Sequence, residues 1–124
     1  MAWITPKTDW SSGDNVTADD MNRICGNLNY LLDEERLTKV YTYKDYVFLT
    51  EWQAIASALG DVQAFLGMET DTPDNQTTAY NFNLVESYCE QYKPLVDKIR
   101  AQRNANKYAG EWYADTEIYS GGYA

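Results

Sequence analysis

Side chains able to do acid–base chemistry or hold a hard cation cluster in three places: the adjacent pairs Asp19-Asp20 and Glu34-Glu35, and the loop acids Asp71 and Asp74. Paired carboxylates serve general acid–base catalysis, and oxygen-rich loops serve calcium sites. The spacing suits neither role. Neighbouring residues on a helix diverge by about 100°, so the two adjacent pairs do not converge on one point. The stretch Asp71-Thr72-Pro73-Asp74-Asn75 lacks the spacing and central glycine of an EF-hand. These acids therefore read as solvated surface. Asn15-Val16-Thr17 and Asn75-Gln76-Thr77 have the form of glycosylation sequons but read as caps and turns. Cys25 and Cys89 are too few for a disulfide framework, and reduced core thiols are the favoured reading over a single bridge.

Composition narrows the chemistry further. There is no histidine, which removes the commonest general base, the usual zinc ligand and every Ser-His or Cys-His nucleophile pair. The expectation is a non-enzyme with no catalytic residue, no cofactor and no metal. With 124 residues the length fits one domain, and 19 acidic against 10 basic residues give a net charge of -9. A surface of that sign does not neutralise phosphates, so nucleic acid is not expected as a partner. No window approaches 18 consecutive apolar residues, so no membrane partner is expected either. Met1-Ala2-Trp3-Ile4 lacks the character of a signal peptide, which suggests synthesis in a cytoplasm. The aromatic set, 11 Tyr and 4 Trp against 3 Phe, favours rings with a polar handle, as found at interfaces.

The elements that must position these residues are helical. Residues 1–17 read as an extended arm ending in the loop composition Ser11-Ser12-Gly13-Asp14-Asn15. Thr17 is an N-cap with acids behind it, followed by Met21, Ile24, Leu28, Leu31 and Leu32 at helical spacing, which predicts a helix from Ala18 to Arg36. Thr38 to Leu49 is β-prone and aromatic, and suits either an extended strand or a packed loop. Thr50-Glu51-Trp52-Gln53 has the form of a capping box ahead of Trp52, Ile55, Leu59, Val62 and Leu66, predicting a helix that ends at Gly67. Gly60 weakens its middle. From Thr78 the pattern returns with Phe82, Val85, Cys89 and Tyr92 on one face, helix-compatible to about Lys107 with a kink or break at Pro94. The expected fold is mainly α: a small bundle of three to four helices over residues 18–108, with residues 109–124 as an aromatic C-terminal tail.

The first and third helical runs superpose at one offset of 61 residues: Met21 on Phe82, Asn22 on Asn83, Ile24 on Val85, Leu28 on Cys89 and Leu31 on Tyr92. Both follow an Asp-Asn-x-Thr loop, with one extra residue before the second. The pattern suits a duplicated helix motif and equally suits two amphipathic helices.

The string Trp3-Ile4-Thr5-Pro6-Lys7-Thr8-Asp9-Trp10, followed by Asp14, Val16, Ala18-Asp19-Asp20-Met21-Asn22-Arg23-Ile24 and Asn27-Leu28, resembles the opening of small structural proteins and fibre-attachment segments of tailed phages and prophages of Gram-positive bacteria. The resemblance covers about the first quarter of the chain and rests on Asp9, Trp10, Asn22, Arg23, Ile24 and Asn27. Cys25 stands where that family carries Glu, while the second copy keeps Glu86 but has Leu84 in place of Arg. An Arg–Glu pair within either copy is therefore not expected. The resemblance implies a virion component at the tail or baseplate, made in the host cytoplasm, homo-oligomeric in the particle and partnered by other virion proteins. A head decoration or head-fibre protein is the structural alternative. A soluble module stacking Trp and Tyr on cell-surface sugars is the alternative from another class.

Asn22 and Arg23 read as structural, the amide satisfying the arm's backbone and the guanidinium holding a carboxylate such as Asp9 or Asp19. Trp3 and Trp10 then lie back across the helices with their indole N–H groups on acceptors; the alternative extends the arm onto a neighbouring subunit. The candidate interface residues are Trp3, Trp10, Tyr41, Tyr43, Tyr46, Trp112, Tyr113, Ile118, Tyr119 and Tyr123.

Overall fold

The computed structural model describes residues 3–37 and 49–114. Three helices follow in order, α1 (Ala18–Leu32), α2 (Leu49–Phe65) and α3 (Ala79–Ala114), with no strand among the described residues. The protein is a small, mainly α bundle, as its periodicity predicts. Residues 38–48, including Tyr41, Tyr43 and Tyr46, lie outside the described residues, as do 115–124 with Ile118, Tyr119 and Tyr123.

The starts of α1 and α3 have a physical cause. The Thr17 hydroxyl accepts the Asp20 amide, and the Asp20 carboxylate accepts the Thr17 amide, closing a capping box. At α3 the Thr78 hydroxyl accepts the Asn81 amide and its carbonyl the Phe82 amide. Thr17 and Thr78 stand 61 residues apart, so the offset that aligns the apolar faces also aligns the caps. The extra residue is taken up in the loop before Thr78. All four apolar pairs of the repeat are buried.

Several boundaries depart from expectation. Helix α1 stops at Leu32, four residues before Arg36, because Asp33 turns left-handed with φ 57°. The amides of Asp33 and Glu34 then close back on Tyr30 and Asn29. Helix α2 begins at Leu49, which puts Thr50, the expected N-cap, inside the helix. Its far end behaves as read: Gly67 takes φ 71°, and the Gly67 and Met68 amides bond to Ala64 and Gln63.

Helix α3 runs unbroken through Pro94 and on to Ala114, beyond the limits expected at residues 94 and 108. Proline removes one amide and crowds the carbonyl four residues back. Here Glu90, Gln91 and Pro94 are all exposed, so water can serve the Glu90 carbonyl. The residue still marks a boundary, since the chain divides into compact units over residues 1–93 and 94–124. Trp112 and Tyr113 fall on the last turn of α3, with side chains outside the described set.

The core of the first unit joins Met21, Ile24, Leu28 and Leu31 of α1 to Trp52, Ile55, Ala58, Leu59 and Val62 of α2, and to Phe82, Val85, Cys89 and Tyr92 of α3. Phe82 lies 5.0 Å from both Trp10 and Trp52, so one line of rings ties the arm to α3 and α2. Both cysteines are free and buried. Burial, aided by the charge of Glu51, pushes the Cys25 thiol up to about 11, and burial drives Cys89 upward as well.

A Cβ at Gly60 would meet the Thr72 methyl at 3.5 Å, an ordinary contact. Gly60→Ala should therefore stabilise the protein by about 0.5–1 kcal/mol through helix propensity and unfolded-state entropy. Urea unfolding would check this.

Candidate functional site

The arm, residues 3–10, has no regular secondary structure and lies across α1 and α3. Extended backbone outside a sheet needs partners for its amides and carbonyls. Side-chain amides supply them. The Asn27 carbonyl oxygen accepts the Ile4 amide at 3.0 Å, and its nitrogen donates to the Ile4 carbonyl at 2.7 Å. Asn83 does the same for Trp10, at 2.8 and 2.9 Å. Each side chain reproduces the donor–acceptor pair that a neighbouring strand would present.

Between these clamps is Glu86 of α3, 1 % exposed. Its Oε1 accepts the Lys7 amide at 2.9 Å and Arg23 Nε at 2.7 Å. Its Oε2 accepts Arg23 Nη2 at 3.0 Å and the Trp10 indole N–H. Four donors thus meet a group with about four lone-pair positions, and the arginine contact is bidentate. Arg23 completes its own shell with Asp20 at 2.9 Å. Burial lowers the Arg23 pKa, but Glu86 and Asp20 outweigh it and hold the value above normal. Desolvation likewise acts against Asp20, yet the Thr17 amide and hydroxyl, with Arg23, keep its carboxyl below the usual range.

The sequence-derived motif residues come together here in part. Trp10, Arg23 and Asn27 belong to the latch that Glu86 and the two Asn clamps form, and Ile24 is buried in the core. Asn22 is half-buried on α1, while Asn27 and Asn83 clamp the arm's backbone. Asp9 is exposed and paired with Lys7 Nζ at 2.9 Å. That contact lowers the Asp9 pKa and raises that of Lys7. Arg23 holds neither Asp9 nor Asp19, because Glu86 and Asp20 are its partners. The Arg and Glu that are split between the repeats pair across them, α1 giving the Arg and α3 the Glu.

Of the interface candidates, Trp10 is turned inward, 6 % exposed, with Phe82 beside it and Lys7 Nζ 5.1 Å from its ring centroid. Trp3 is half-buried, edge-on to Tyr30 at 5.4 Å, with Lys93 Nζ near both rings. The favoured reading of the arm lying back across the helices thus describes the observed placement.

Two further clamps were not anticipated from the sequence. Asn29 exchanges two hydrogen bonds with the backbone of Leu37, and Gln63 does so with Asp71. Gln63 also donates to the Tyr92 hydroxyl, and the Tyr88 hydroxyl donates to Asp71. That bond to Asp71, with some desolvation, pushes the Tyr88 phenol up to about 12. The available signal was an amide on an apolar stripe: Gln63 follows Leu59 and Val62 and is fully buried.

Glu86→Ala leaves the Lys7 amide, the Trp10 indole and part of Arg23 without an acceptor. It should cost about 3–5 kcal/mol and red-shift Trp10 emission, measurable by denaturant titration and fluorescence. Because the folded Asp20 pKa is depressed, its contribution is complete above about pH 4 and is lost as pH falls through the folded value. Asp20→Asn should therefore be less stable than the native chain at pH 7, with the gap closing below about pH 4, as pH-dependent unfolding would read. No protein-family model, curated protein or solved structure matches the chain.

Proposed function

We propose that the chain is a structural virion subunit of a tailed phage or prophage, placed at the tail or baseplate, which bridges neighbouring subunits or anchors a fibre. Its role in this reading is assembly and involves no catalysis. The observation that carries the reading is the employment of the resembling motif. Trp10, Arg23 and Asn27 hold an extended arm in place through Glu86 and the Ile4 backbone. A motif spent on fixing an arm suits a building block. Charge fits as well, since a net -9 limits aggregation before incorporation.

Partners in this reading are other virion proteins and further copies of the same chain. The aromatic segments around Tyr41, Tyr43 and Tyr46, and around Trp112, Tyr113, Ile118, Tyr119 and Tyr123, supply contact area. Among the described residues no helix is long and apolar enough to cross a membrane.

Immunogold labelling of intact particles should place the protein at the tail or baseplate. Truncation after Ala114 should preserve the helical circular dichroism while abolishing incorporation. Label on the head would move the subunit to the capsid surface. Absence from particles, together with binding to purified host cell walls, would replace the reading with carbohydrate recognition.

A further inference from the structure

The latch is built from contacts that identify an arm without requiring it to be the chain's own. Asn27 and Asn83 bind main-chain atoms of Ile4 and Trp10, and Glu86 binds the Lys7 amide and the Trp10 indole. These contacts link residues 23 to 79 positions apart in sequence. The connection between arm and α1 contributes little to them. Residues 11–15 are all exposed, and they close a small turn in which the Asp14 amide bonds to the Ser11 carbonyl and the Ser11 amide to the Asp14 carboxylate. Gly13 takes φ 94° there, with open space around it.

Beside the connection is an open surface groove of about 420 Å³, lined by Trp10 to Asp14 and Val16 together with Thr77 to Tyr80 and Phe82. The segment therefore borders open space and is not packed into the core.

We infer that the arm is exchangeable between copies of this chain: residues 3–10 of one copy occupy the α1–α3 latch of a second, and the second returns its arm to the first. Every latch contact is retained in the exchanged dimer, so the two forms differ in the Ser11–Asp14 turn and in the freedom lost on association. Reach is sufficient. Seven residues, Ser11 to Thr17, extend to about 23 Å, roughly two helix diameters. The partner is specified by its chemistry, namely an extended segment bearing Trp10 seven residues before its N-cap. The inference concerns the isolated chain, so it stands or falls separately from the particle reading.

Gly13 is the control point. A β-branched residue there is strained in the closed turn and relaxed in the open one, and its Cβ would meet nothing within 4 Å. Sedimentation equilibrium across a concentration series should show a reversible dimer for the native chain. Gly13→Val should lower the dissociation constant roughly tenfold to a hundredfold. A second variant lacking Ser12 and Gly13, unable to turn back, should be dimeric throughout. In a mixture of isotope-labelled and unlabelled copies, filtered NOE spectra should show the Trp10 indole of one copy against Phe82 of the other. Monomeric variants at every concentration, or Trp10–Phe82 contacts confined to single copies, would overturn the inference. Loss of the helical fold in both variants would overturn it too, since an exchange hinge must tolerate opening.

Discussion

A carboxylate removed from water must find its hydrogen bonds within the protein, and Glu86 draws them from two parts of the chain at once. Arg23 arrives from α1; the Lys7 amide and the Trp10 indole arrive from the arm. If either source moved by a turn, the group would keep only half its donors. Glu86 thereby fixes the position of α1 against α3 and the register of the arm in one interaction. Buried ion pairs contribute little net stability against an apolar replacement of similar volume. Their effect here is selective: other placements of the arm leave the carboxylate short of partners. The rings fit that register, since the indole held on Glu86 also lies against Phe82, which in turn meets Trp52.

The same logic recurs wherever non-helical chain crosses a helix. Asn27, Asn83, Asn29 and Gln63 each offer one acceptor and one donor to a single residue's backbone. A bundle has no sheet edge on which an extended segment can satisfy itself, and a carboxamide is chemically a peptide group on a short stalk. Asn81 performs a related task at the start of α3, donating to the Asp74 carboxylate and the Gln76 carbonyl. The Trp52 indole meanwhile reaches the Asp74 carbonyl at 2.7 Å. Loops of this protein are thus fastened by polar groups issuing from the apolar faces of its helices.

What could be read in advance follows from which forces act locally. Apolar periodicity and the Thr17 cap fix α1 and its buried face, since both depend on residues within a turn or two. The offset between Met21 and Phe82 was visible for the same reason. Helix ends were harder: Asp33 in a left-handed conformation and an exposed Pro94 depend on solvent access and on local geometry that residue type does not determine. The latch itself was half legible. Arg23, Asn27 and Trp10 stood out, and the 61-residue offset marked Asn83 and Glu86 as well, but which of these groups meet across more than 60 residues depends on helix packing that periodicity does not give.

That separation gives the arm an unusual history during synthesis. Chains emerge from the ribosome N-terminus first, and segments made early ordinarily fold early. Residues 3–10 cannot, because Asn83 and Glu86 are made some 70 residues later. The arm is therefore among the last segments to dock, and until α3 is made Trp3, Ile4 and Trp10 are presented to whatever surrounds the nascent chain. Long-range closure of this kind is slow as well as late. On a polysome, where copies emerge side by side, the order of manufacture favours an encounter between the free arm of one chain and the finished helices of its neighbour.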